Sequence, residues 1–355
     1  MLIAAARLTV SGSPNTTKSA PSNPAPAAVA AAQTRIAGQA VRTPLLYSPV
    51  LSERTGGKVF LKPECLQRTG SFKFRGAWNA VQALGGAAAG GVIAVSSGNH
   101  AQGVAEAARL AGIRSVIVMP ADAPAPKRRR TERSGARVIT YDRATEDRDE
   151  VVARLAADDR SLAFIHPFND PLVIAGQGTV GLEIVDDSVA LGVTPDIVLV
   201  PCSGGGLAAG VGLAVTERFS HAEVYTAEPR EFDDMRRSLQ TGTLQRNTKM
   251  AGSLCDALLA PSPGATGWQI NRERLAGGLA VTDPEALYAV GFAFDELRLV
   301  VEPGGAVGLA ALLCGHVEVA GRTVVVVLSG GNIGDEILAE ALRTYRSAAD
   351  PRALS

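Results

Sequence analysis

The sequence predicts an α/β protein with two lobes, each built from a parallel twisted sheet flanked by helices. The chain has 355 residues, of which 46% are hydrophobic, only 5% are aromatic and 38 are glycine. This composition is typical of soluble α/β proteins rather than β-sandwiches. Buried strands alternate with helices from residue 91 onward, which predicts parallel sheets with right-handed crossovers. The length is sufficient for a large core and two lobes.

Charge and cysteine content narrow the class of function. Lys plus Arg and Asp plus Glu each number 35, so the net charge is zero and gives no support to nucleic-acid or membrane-surface binding. No apolar run of the sequence approaches the ~20 residues that a membrane helix needs. The four cysteines lie far apart and form no CxxC pair. This favours reduced thiols in a cytoplasmic protein over a zinc site or a disulfide framework.

The first 30 residues differ from the rest of the chain. They are rich in Ala, Ser, Thr and Pro, and the first acidic residue is Glu53. A basic, Ser-rich start that lacks acids also occurs in organelle transit peptides. We interpret residues 1–30 as a disordered tail.

The small, mobile lobe is predicted over residues 90–167. The segment "VIAVS" is a buried strand, "SGNH" a turn and "AQGVAEAARLAG" a helix that ends at Gly112. The strands "SVIVM" and "RVITY" enclose a basic helix from about Pro124 to Ser134, and a helix from Thr145 to Ala157 precedes the strand "LAFI". The basic run "KRRRTER" is interpreted as a solvated helix face rather than a nucleic-acid patch.

The large lobe is predicted from residues 31–89 together with 168–355. Its order is a strand "VFLKPE", a helix "AGQGTVGLEIV", a strand "DIVLV", a glycine-rich turn into the helix "GLAAGVGLAV", and a strand "AEVYTAE". A less regular stretch precedes a helix from about Pro284 to Leu299. The helix "VEPGGAVGLAALLC", the buried strand "TVVVVLS" and a last helix from near Asp335 complete the lobe.

The glycine-rich turn from Ser203 to Gly206 suggests an anion site. It follows a strand, opens a helix and precedes a strand that ends in Glu228, which is the outline of a dinucleotide fingerprint. The segment "GGGLAAG" does not have the spacing G-x-G-x-x-G. The residues themselves predict something narrower, because backbone N–H groups at a positive helix end suit a phosphate. A tight strand-to-helix turn without a ligand is the alternative.

Three other loops favour a different cofactor. The loop "TGSFK" supplies the amine of Lys73, "SSGNH" adds hydroxyls and an amide at a helix N-terminus, and "LSGGN" places Ser329 at the end of an apolar strand. All three follow strands or begin helices, where open α/β sheets bind ligands. A phosphate cradle, a lysine and hydroxyl donors together describe a pyridoxal phosphate site. There the lysine forms a Schiff base, and desolvation lowers the pKa of its amine.

Six segments carry a family resemblance: "LKPECLQRTGSFKFRGAWNA", "SSGNHAQGVA", "HPFNDPLVIAGQGTVGLEI", "PCSGGGLAAG", "VEPGGAVGLAALL" and "LSGGNIG". Over about residues 35–345 the chain resembles the serine/threonine dehydratase and serine racemase family, the fold-type II pyridoxal phosphate enzymes. The resemblance implies a tryptophan synthase β-like fold, a homodimer, and conversion of L-threonine or L-serine to a 2-oxo acid and ammonia. Serine racemase and hydroxyaspartate dehydratase of the same family stay open as alternatives. Cysteine synthases resemble "GNT" rather than "GNH", which disfavours β-replacement.

The resemblance also implies roles for individual residues. Lys73 corresponds to the Schiff-base lysine and proton-transfer base, Phe72 packs near the cofactor ring, and Ser329 faces the pyridine nitrogen. Asn99 binds the ring hydroxyl. Backbone N–H groups hold the phosphate, and they belong to Ser203, Gly204, Gly205, Gly206 and Leu207. The surroundings of the substrate carboxylate comprise Ser96, Ser97, Asn99 and His100.

Two serines bear on the outcome of the reaction. A neutral hydroxyl at Ser329 does not force the ring nitrogen to stay protonated, so the electron sink is weaker and loss of the β-hydroxyl after Cα deprotonation is favoured. An ordinary helix cap is the alternative for this serine. Ser97 stands where many dehydratases of the family resemble "SAGNH", whereas serine racemases and some hydroxyaspartate dehydratases carry "SSGNH". A hydroxyl opposite Lys73 can give a proton to Cα; a helix cap that only binds carboxylate is the alternative.

The segment "EPREFDD" resembles the divalent-cation segment of the family. Transferred to this sequence, the ligands are Glu228, the backbone carbonyl of Phe232, and Asp234. Oxygen ligands suit Mg²⁺ or Ca²⁺. A solvated acidic loop is the alternative.

Overall fold

The computed structural model describes residues 24–123, 125–142 and 144–354. Its strands form one sheet of six strands and one of four. In chain order the strands are β1 (Leu46–Tyr47), β2 (Lys58–Pro63), β3 (Val92–Val95), β4 (Ser115–Pro120), β5 (Arg137–Tyr141), β6 (Ala163–Phe164), β7 (Ile197–Pro201), β8 (Glu223–Pro229), β9 (Gly277–Val281) and β10 (Thr323–Leu328).

Both sheets are parallel apart from one edge pair. The large sheet has the order β1-β2-β10-β7-β8-β9, and only β1 runs antiparallel to its neighbour. The small sheet has the order β5-β4-β3-β6 with every pair parallel. The predicted α/β class with helix-flanked parallel sheets is confirmed. Uninterrupted Val, Ile and Leu runs such as β10, buried over most of its length, reflect coverage by helices on both faces.

Helices cover the faces of both sheets. In chain order they are α1 (Pro26–Ile36), α2 (Pro49–Thr55), α3 (Lys73–Leu84), α4 (Asn99–Ala111), α5 (Ala125–Arg133), α6 (Arg148–Asp158), α7 (Pro171–Ala190), α8 (Gly206–Arg218), α9 (Asp234–Thr241), α10 (Ala265–Arg274), α11 (Asp283–Asp295), α12 (Pro303–Leu313) and α13 (Asp335–Ser347). Among the described residues, no helix is long and apolar enough to cross a bilayer.

The structure differs from the sequence prediction at several places. Helix α1 begins at Pro26 and buries Val29 completely, so the predicted tail extends too far; residues 1–23 of that tail lie outside the described residues. Helix α11 ends at Asp295 rather than Leu299, because Arg298 has a left-handed φ of 59°. The stretch judged less regular contains α9, α10 and β9.

Close packing of α7 on α8 fixes the start of α8, where the predicted phosphate turn lies. A Cβ on Gly210 would lie 2.5 Å from the backbone N of Gly178, so neither helix could approach the other with a larger residue at this crossing. Small residues at a helix crossing allow the two backbones to meet. The packing therefore holds Gly206, the first residue of α8, at the carboxyl end of β7.

The basic helix α5 is only partly a solvated face. Arg128 and Arg129 are exposed as predicted. Lys127, however, forms an ion pair with Asp256, and Arg130 Nη1 donates to Asn332 Oδ1 at 3.0 Å. Both acceptors belong to the part of the chain that carries the large sheet. The helix thus contacts that part of the chain through two residues that lie one turn apart. Pro124, where the helix was predicted to start, lies outside the described residues.

Candidate active site

The loops "TGSFK" and "LSGGN" lie side by side. Ser71 forms an isolated antiparallel bridge with Gly330, and the N–H of Phe72 donates to the carbonyl of Ser329 at 3.1 Å. Thr69 and Gly70 precede this contact with left-handed φ values of 64° and 75°. A positive φ is uncommon for a β-branched residue such as threonine. The strained turn directs the chain into α3, whose first residue is Lys73.

Asn99 connects the "SSGNH" loop to the same place. Its Oδ1 accepts from Asn332 Nδ2 at 2.7 Å, and its own Nδ2 donates to Glu302 Oε1 at 2.5 Å. The three loops that the sequence analysis singled out therefore meet, as expected for residues at the carboxyl ends of parallel strands. Sequence analysis did not include Glu302. Glu302 is an acid before proline in an apolar context, and it belongs to the family segment "VEPGGAVGLAALL" without a role having been assigned to it.

The amine of Lys73 is poised for chemistry near neutral pH. Its Nζ donates to the carbonyl of Pro167 at 2.8 Å and lies 5.0 Å from the centre of the Phe72 ring. Although the side chain keeps some solvent contact, the surrounding protein removes water from the amine and lowers its pKa to about 8. A lower pKa raises the fraction of neutral amine, which is the nucleophilic form.

The glycine turn forms a cradle at the start of α8. Gly205 has a left-handed φ of 87°, and a Cβ there would lie 2.6 Å from Met235 Cε. A Cβ on Gly204 would lie 2.2 Å from the Phe168 ring. The Oγ of Ser203 accepts from the backbone N–H of Ala260 at 3.1 Å. Glycine is therefore required at this turn, which follows β7 and presents the N-terminus of α8.

The residues predicted to surround the substrate carboxylate differ in whether their side chains already form hydrogen bonds. Ser96 Oγ already accepts from the N–H of Gly98 at 3.1 Å. Ser97 is half-buried, and no described residue hydrogen-bonds its hydroxyl. His100 is buried, with Nε2 2.9 Å from the Ile165 carbonyl. Its pKa is lowered to about 3, mainly by burial and to a smaller extent by repulsion from Lys73. Its Nδ1 has no partner among the described atoms, and is the only ring nitrogen left to face a ligand.

The predicted cation ligands are close but partly engaged. Glu228 is buried and accepts the N–H groups of Met235 and Arg236 at 3.0 and 2.7 Å. Burial and the charge of Asp234 raise the pKa of Glu228 well above its usual value, and burial raises the pKa of Asp234 to about 6. Asp234 Oδ2 is buried without a partner. Two buried carboxyl groups with an unpaired oxygen suit a cation, although no cluster of three His, Cys, Asp or Glu is found among the described residues.

A buried network of charges centres on Arg75, which follows Lys73 by two positions in α3, and this network was not predicted. The guanidinium of Arg75 donates to both oxygens of Glu64, at 2.7 and 2.8 Å, and to both oxygens of Glu183, at 2.7 and 2.8 Å. Lys62 Nζ donates to Glu183 Oε2 at 2.6 Å. Two cations and two carboxylates balance inside the protein, which buried charges require. The signal in the sequence was Lys62 and Glu64 beside an apolar strand.

Glu302 gives the site a pH-dependent stability. Burial raises the pKa of Glu302 from 4.5 to about 7, so its protonated form stabilises the fold at low pH and that contribution is lost as the pH rises through the folded value. We expect the free energy of unfolding of the unmodified protein to fall relative to Glu302→Gln by up to about 3 kcal/mol between about pH 5 and pH 8. Urea unfolding at several pH values measures this difference.

An exposed glutamate provides the control for this pH dependence. The side chain of Glu273 is 67% exposed, so Glu273→Gln should leave the pH profile unchanged. Parallel profiles for the unmodified protein and Glu302→Gln would show that Glu302 ionises like an exposed acid.

The chain is similar to known proteins over most of its length. Residues 36–330 match the family model described as pyridoxal-phosphate dependent enzyme. The chain is 41% identical to the L-threonine ammonia-lyase of Thermotoga maritima (82% of this chain, 71% of that relative) and 40% identical to the L-threo-3-hydroxyaspartate ammonia-lyase of Pseudomonas sp (87% and 95%). The solved structure of maize serine racemase superposes with a TM-score of 0.83 at 33% identity, covering 92% of this chain and 98% of that one. The chain therefore belongs to the pyridoxal-phosphate dependent enzyme family.

The residues present fit that cofactor. The cradle leaves no room for a side chain at Gly204 or Gly205, so backbone N–H groups at the start of α8, rather than side chains, would hold a phosphate. The desolvated amine of Lys73 and the side chain of Asn99 lie on the neighbouring loops, and Ser329 is buried at the end of β10. A nicotinamide site, the alternative that the glycine turn left open, gives no role to this lysine.

Proposed function

We propose that this protein is a pyridoxal phosphate-dependent ammonia-lyase that converts L-threonine, L-serine or a related β-hydroxy amino acid to a 2-oxo acid and ammonia. The observation that carries the proposal is the desolvated amine of Lys73, with its lowered pKa of about 8, at the meeting point of the three loops. The similarity to ammonia-lyases at about 40% identity supports this chemistry rather than β-replacement. Homodimer formation and a cytoplasmic location stay predictions.

The residues of the proposed site have separate roles in the reaction. When bound, pyridoxal phosphate supplies the electron sink that stabilises negative charge at Cα. Lys73 would hold the cofactor through its amine and would be the base that removes the proton from Cα. The cradle at Gly204–Gly206 would hold the phosphate, and Asn99 with Glu302 would bind the ring hydroxyl. Ser329 would face the pyridine nitrogen and, as a neutral group, would favour loss of the β-hydroxyl.

A substrate panel tests the proposal. We expect purified holoenzyme incubated with L-threonine, L-serine and L-threo-3-hydroxyaspartate to release equal amounts of 2-oxo acid and ammonia from at least one of them. Each product is measured separately, so that balanced formation reports elimination. A protein that binds the cofactor but forms no 2-oxo acid from any of the three would contradict the proposal.

Serine racemisation is a second candidate activity, and Ser97 favours it. Its hydroxyl is half-buried and has no partner among the described residues, so a proton can be transferred to or from it. We expect Ser97→Ala to lower formation of D-serine from L-serine at least about 100-fold while elimination changes less than about 3-fold. Chiral chromatography of the amino acid together with a 2-oxo acid assay measures both.

Ser96→Ala is the matched control for Ser97→Ala. It removes the neighbouring hydroxyl, which caps its own loop by accepting from Gly98, and should preserve the ratio of the two activities. Racemisation that survives in Ser97→Ala would assign this residue to carboxylate binding alone.

A divalent cation at Glu228, Asp234 and the Phe232 carbonyl is part of the proposal. A cation would satisfy Asp234 Oδ2 and remove the repulsion between the two buried carboxylates. Binding to the folded state alone stabilises it by about 2.7 kcal/mol at a cation concentration of 100 Kd. We therefore expect a chelator to lower the Tm and Mg²⁺ or Ca²⁺ to restore it.

Two carboxylate variants sharpen the chelator experiment. Asp234→Asn should lower the response of the Tm to added cation. Asp233→Asn should retain it, because Asp233 is engaged with Arg236 and Arg237. A Tm that ignores both chelator and cation in the unmodified protein would discard the site.

A further inference from the structure

The segment 165–170, which we call the corner, leads from the last strand of the small sheet into α7 and contacts the main parts of the site. The carbonyl of Pro167 accepts from Lys73 Nζ at 2.8 Å. The Phe168 ring lies directly on the cradle, since a Cβ on Gly204 would be 2.2 Å from it. One short turn of chain therefore sets the environment of both the lysine and the phosphate cradle.

The imidazole of His166 holds this turn from inside. Its Nδ1 accepts the backbone N–H of Asn169 at 2.9 Å and that of Phe168 at 3.3 Å. The ring stands edge-on between Phe164 and Phe168, with centroid distances of 5.8 and 4.7 Å and interplanar angles of 81° and 89°. Because Nδ1 accepts, it carries no proton, and the hydrogen of the neutral ring is on Nε2.

Asp170 accepts backbone N–H groups in the same pattern as His166, from the residues two and three positions later in the chain. Four residues later, Asp170 Oδ1 accepts the N–H groups of Leu172 and Val173 at 2.7 and 3.3 Å and caps α7. His166 thus makes, with a ring nitrogen, the turn that Asp and Asn ordinarily make with a side-chain oxygen. The acceptor of an asparagine stands the same number of bonds from the backbone as Nδ1, whereas that of a glutamine stands one bond further.

We propose that His166 is a positioning residue for the lyase reaction, which accepts the N–H groups of Phe168 and Asn169 and thereby presents the Pro167 carbonyl to Lys73 and the Phe168 ring to Gly204. The inference rests on the proposed function for its kinetic consequences. The Pro167 carbonyl directs one N–H of the released Lys73 amine, which orients the lone pair that takes the proton from Cα. Displacement of such a group by about 1 Å lowers a rate by up to about 100-fold.

Three holoenzyme variants test the role of the acceptor. His166→Asn restores an acceptor at the Nδ1 position and should keep kcat within about 3-fold of the unmodified protein, whereas His166→Gln and His166→Ala should lower kcat by about 10- to 100-fold. KM should change less than kcat, because the contact acts on the lysine rather than on bound substrate. Equal kcat values for His166→Asn and His166→Gln would overturn the proposal.

Backbone hydrogen exchange supplies a second measurement that does not depend on activity. In the same proteins, exchange at the amides of Phe168 and Asn169 should accelerate at least about 10-fold in His166→Gln and His166→Ala, and stay slow in His166→Asn. Unchanged exchange in His166→Gln would overturn the proposal. If the unmodified protein lacks lyase activity, the proposed function fails and the exchange data alone decide on the corner. If His166→Ala does not fold, the Asn and Gln variants, which differ by one methylene, still decide it.

Discussion

Lys73→Ala is expected to abolish the lyase reaction. Burial lowers the pKa of the Lys73 amine to about 8, which raises the fraction of its neutral, nucleophilic form. Loss of the group that both holds the cofactor and moves the Cα proton should lower kcat at least about 1,000-fold. The visible absorbance band of the bound cofactor should disappear in the same variant. Steady-state formation of 2-oxo acid and an absorbance spectrum measure the two effects.

Lys58→Ala is a matched control for the lysine. Lys58 Nζ also lies over a phenylalanine ring, at 5.6 Å from the centre of Phe60, but it is exposed at the start of β2. Its removal should leave both activity and the absorbance band unchanged. A Lys73→Ala protein that kept the band and formed 2-oxo acid would refute the assignment of the catalytic amine. A colourless protein whose activity required a nicotinamide cofactor would refute the family of reactions as well.

Arg75→Leu is expected to cause the largest loss of stability. Arg75 is completely buried, and its removal leaves Glu64 and Glu183 without the arginine that they share, with Lys62 still paired to Glu183. Breaking a buried ion network by removal of one partner costs about 3–5 kcal/mol, because the remaining charges stay desolvated. Urea unfolding at neutral pH measures the loss. The attraction of Arg75 also holds the pKa of Glu64 below its usual value, so part of the loss should be recovered at acid pH, where Glu64 becomes neutral.

An exposed arginine with the same bond geometry provides the comparison. Arg346 donates to both oxygens of Asp295, at 2.8 and 3.0 Å, while 60% of its side chain stays exposed. Exposed ion pairs contribute little to stability, so Arg346→Leu should leave the unfolding curve unchanged. Equal effects of the two substitutions would mean that the buried network around Arg75 contributes no more to the free energy of unfolding than a surface ion pair.

Local patterns predicted most of the fold. The apolar runs of β7 and β10 predicted buried strands, and the glycine turn before α8 predicted an anion cradle from backbone geometry alone. Strand β9 was missed because its first residues are Gly277 and Gly278, and glycine weakens a strand signal. That strand forms only because β8 offers it a ladder partner, which is a tertiary effect.

The parts of the site that sequence did not reveal depend on distant partners. Glu302 and Asn99 are 203 positions apart in the chain, and neither residue type indicates that their side chains meet. Likewise, the contact of Lys73 with the Pro167 carbonyl joins residues 94 positions apart. Residue types limit which chemical groups are available, whereas the fold decides which of these groups come into contact. The family resemblance supplied roles for Asn99 and Ser329 that spacing alone left open.

The two contacts of α5 with the part of the chain that carries the large sheet have a consequence for the effect of salt on this protein. The Lys127–Asp256 pair and the Arg130–Asn332 hydrogen bond both lie at the surface, and such contacts are worth no more than about 1 kcal/mol each. The two contacts therefore oppose separation of the two sheets at this edge only weakly. At high ionic strength they oppose it even less, because salt screens exposed charges. Salt therefore acts on the junction of the two sheets through these surface charges, whereas the buried ion network around Arg75 is screened much less.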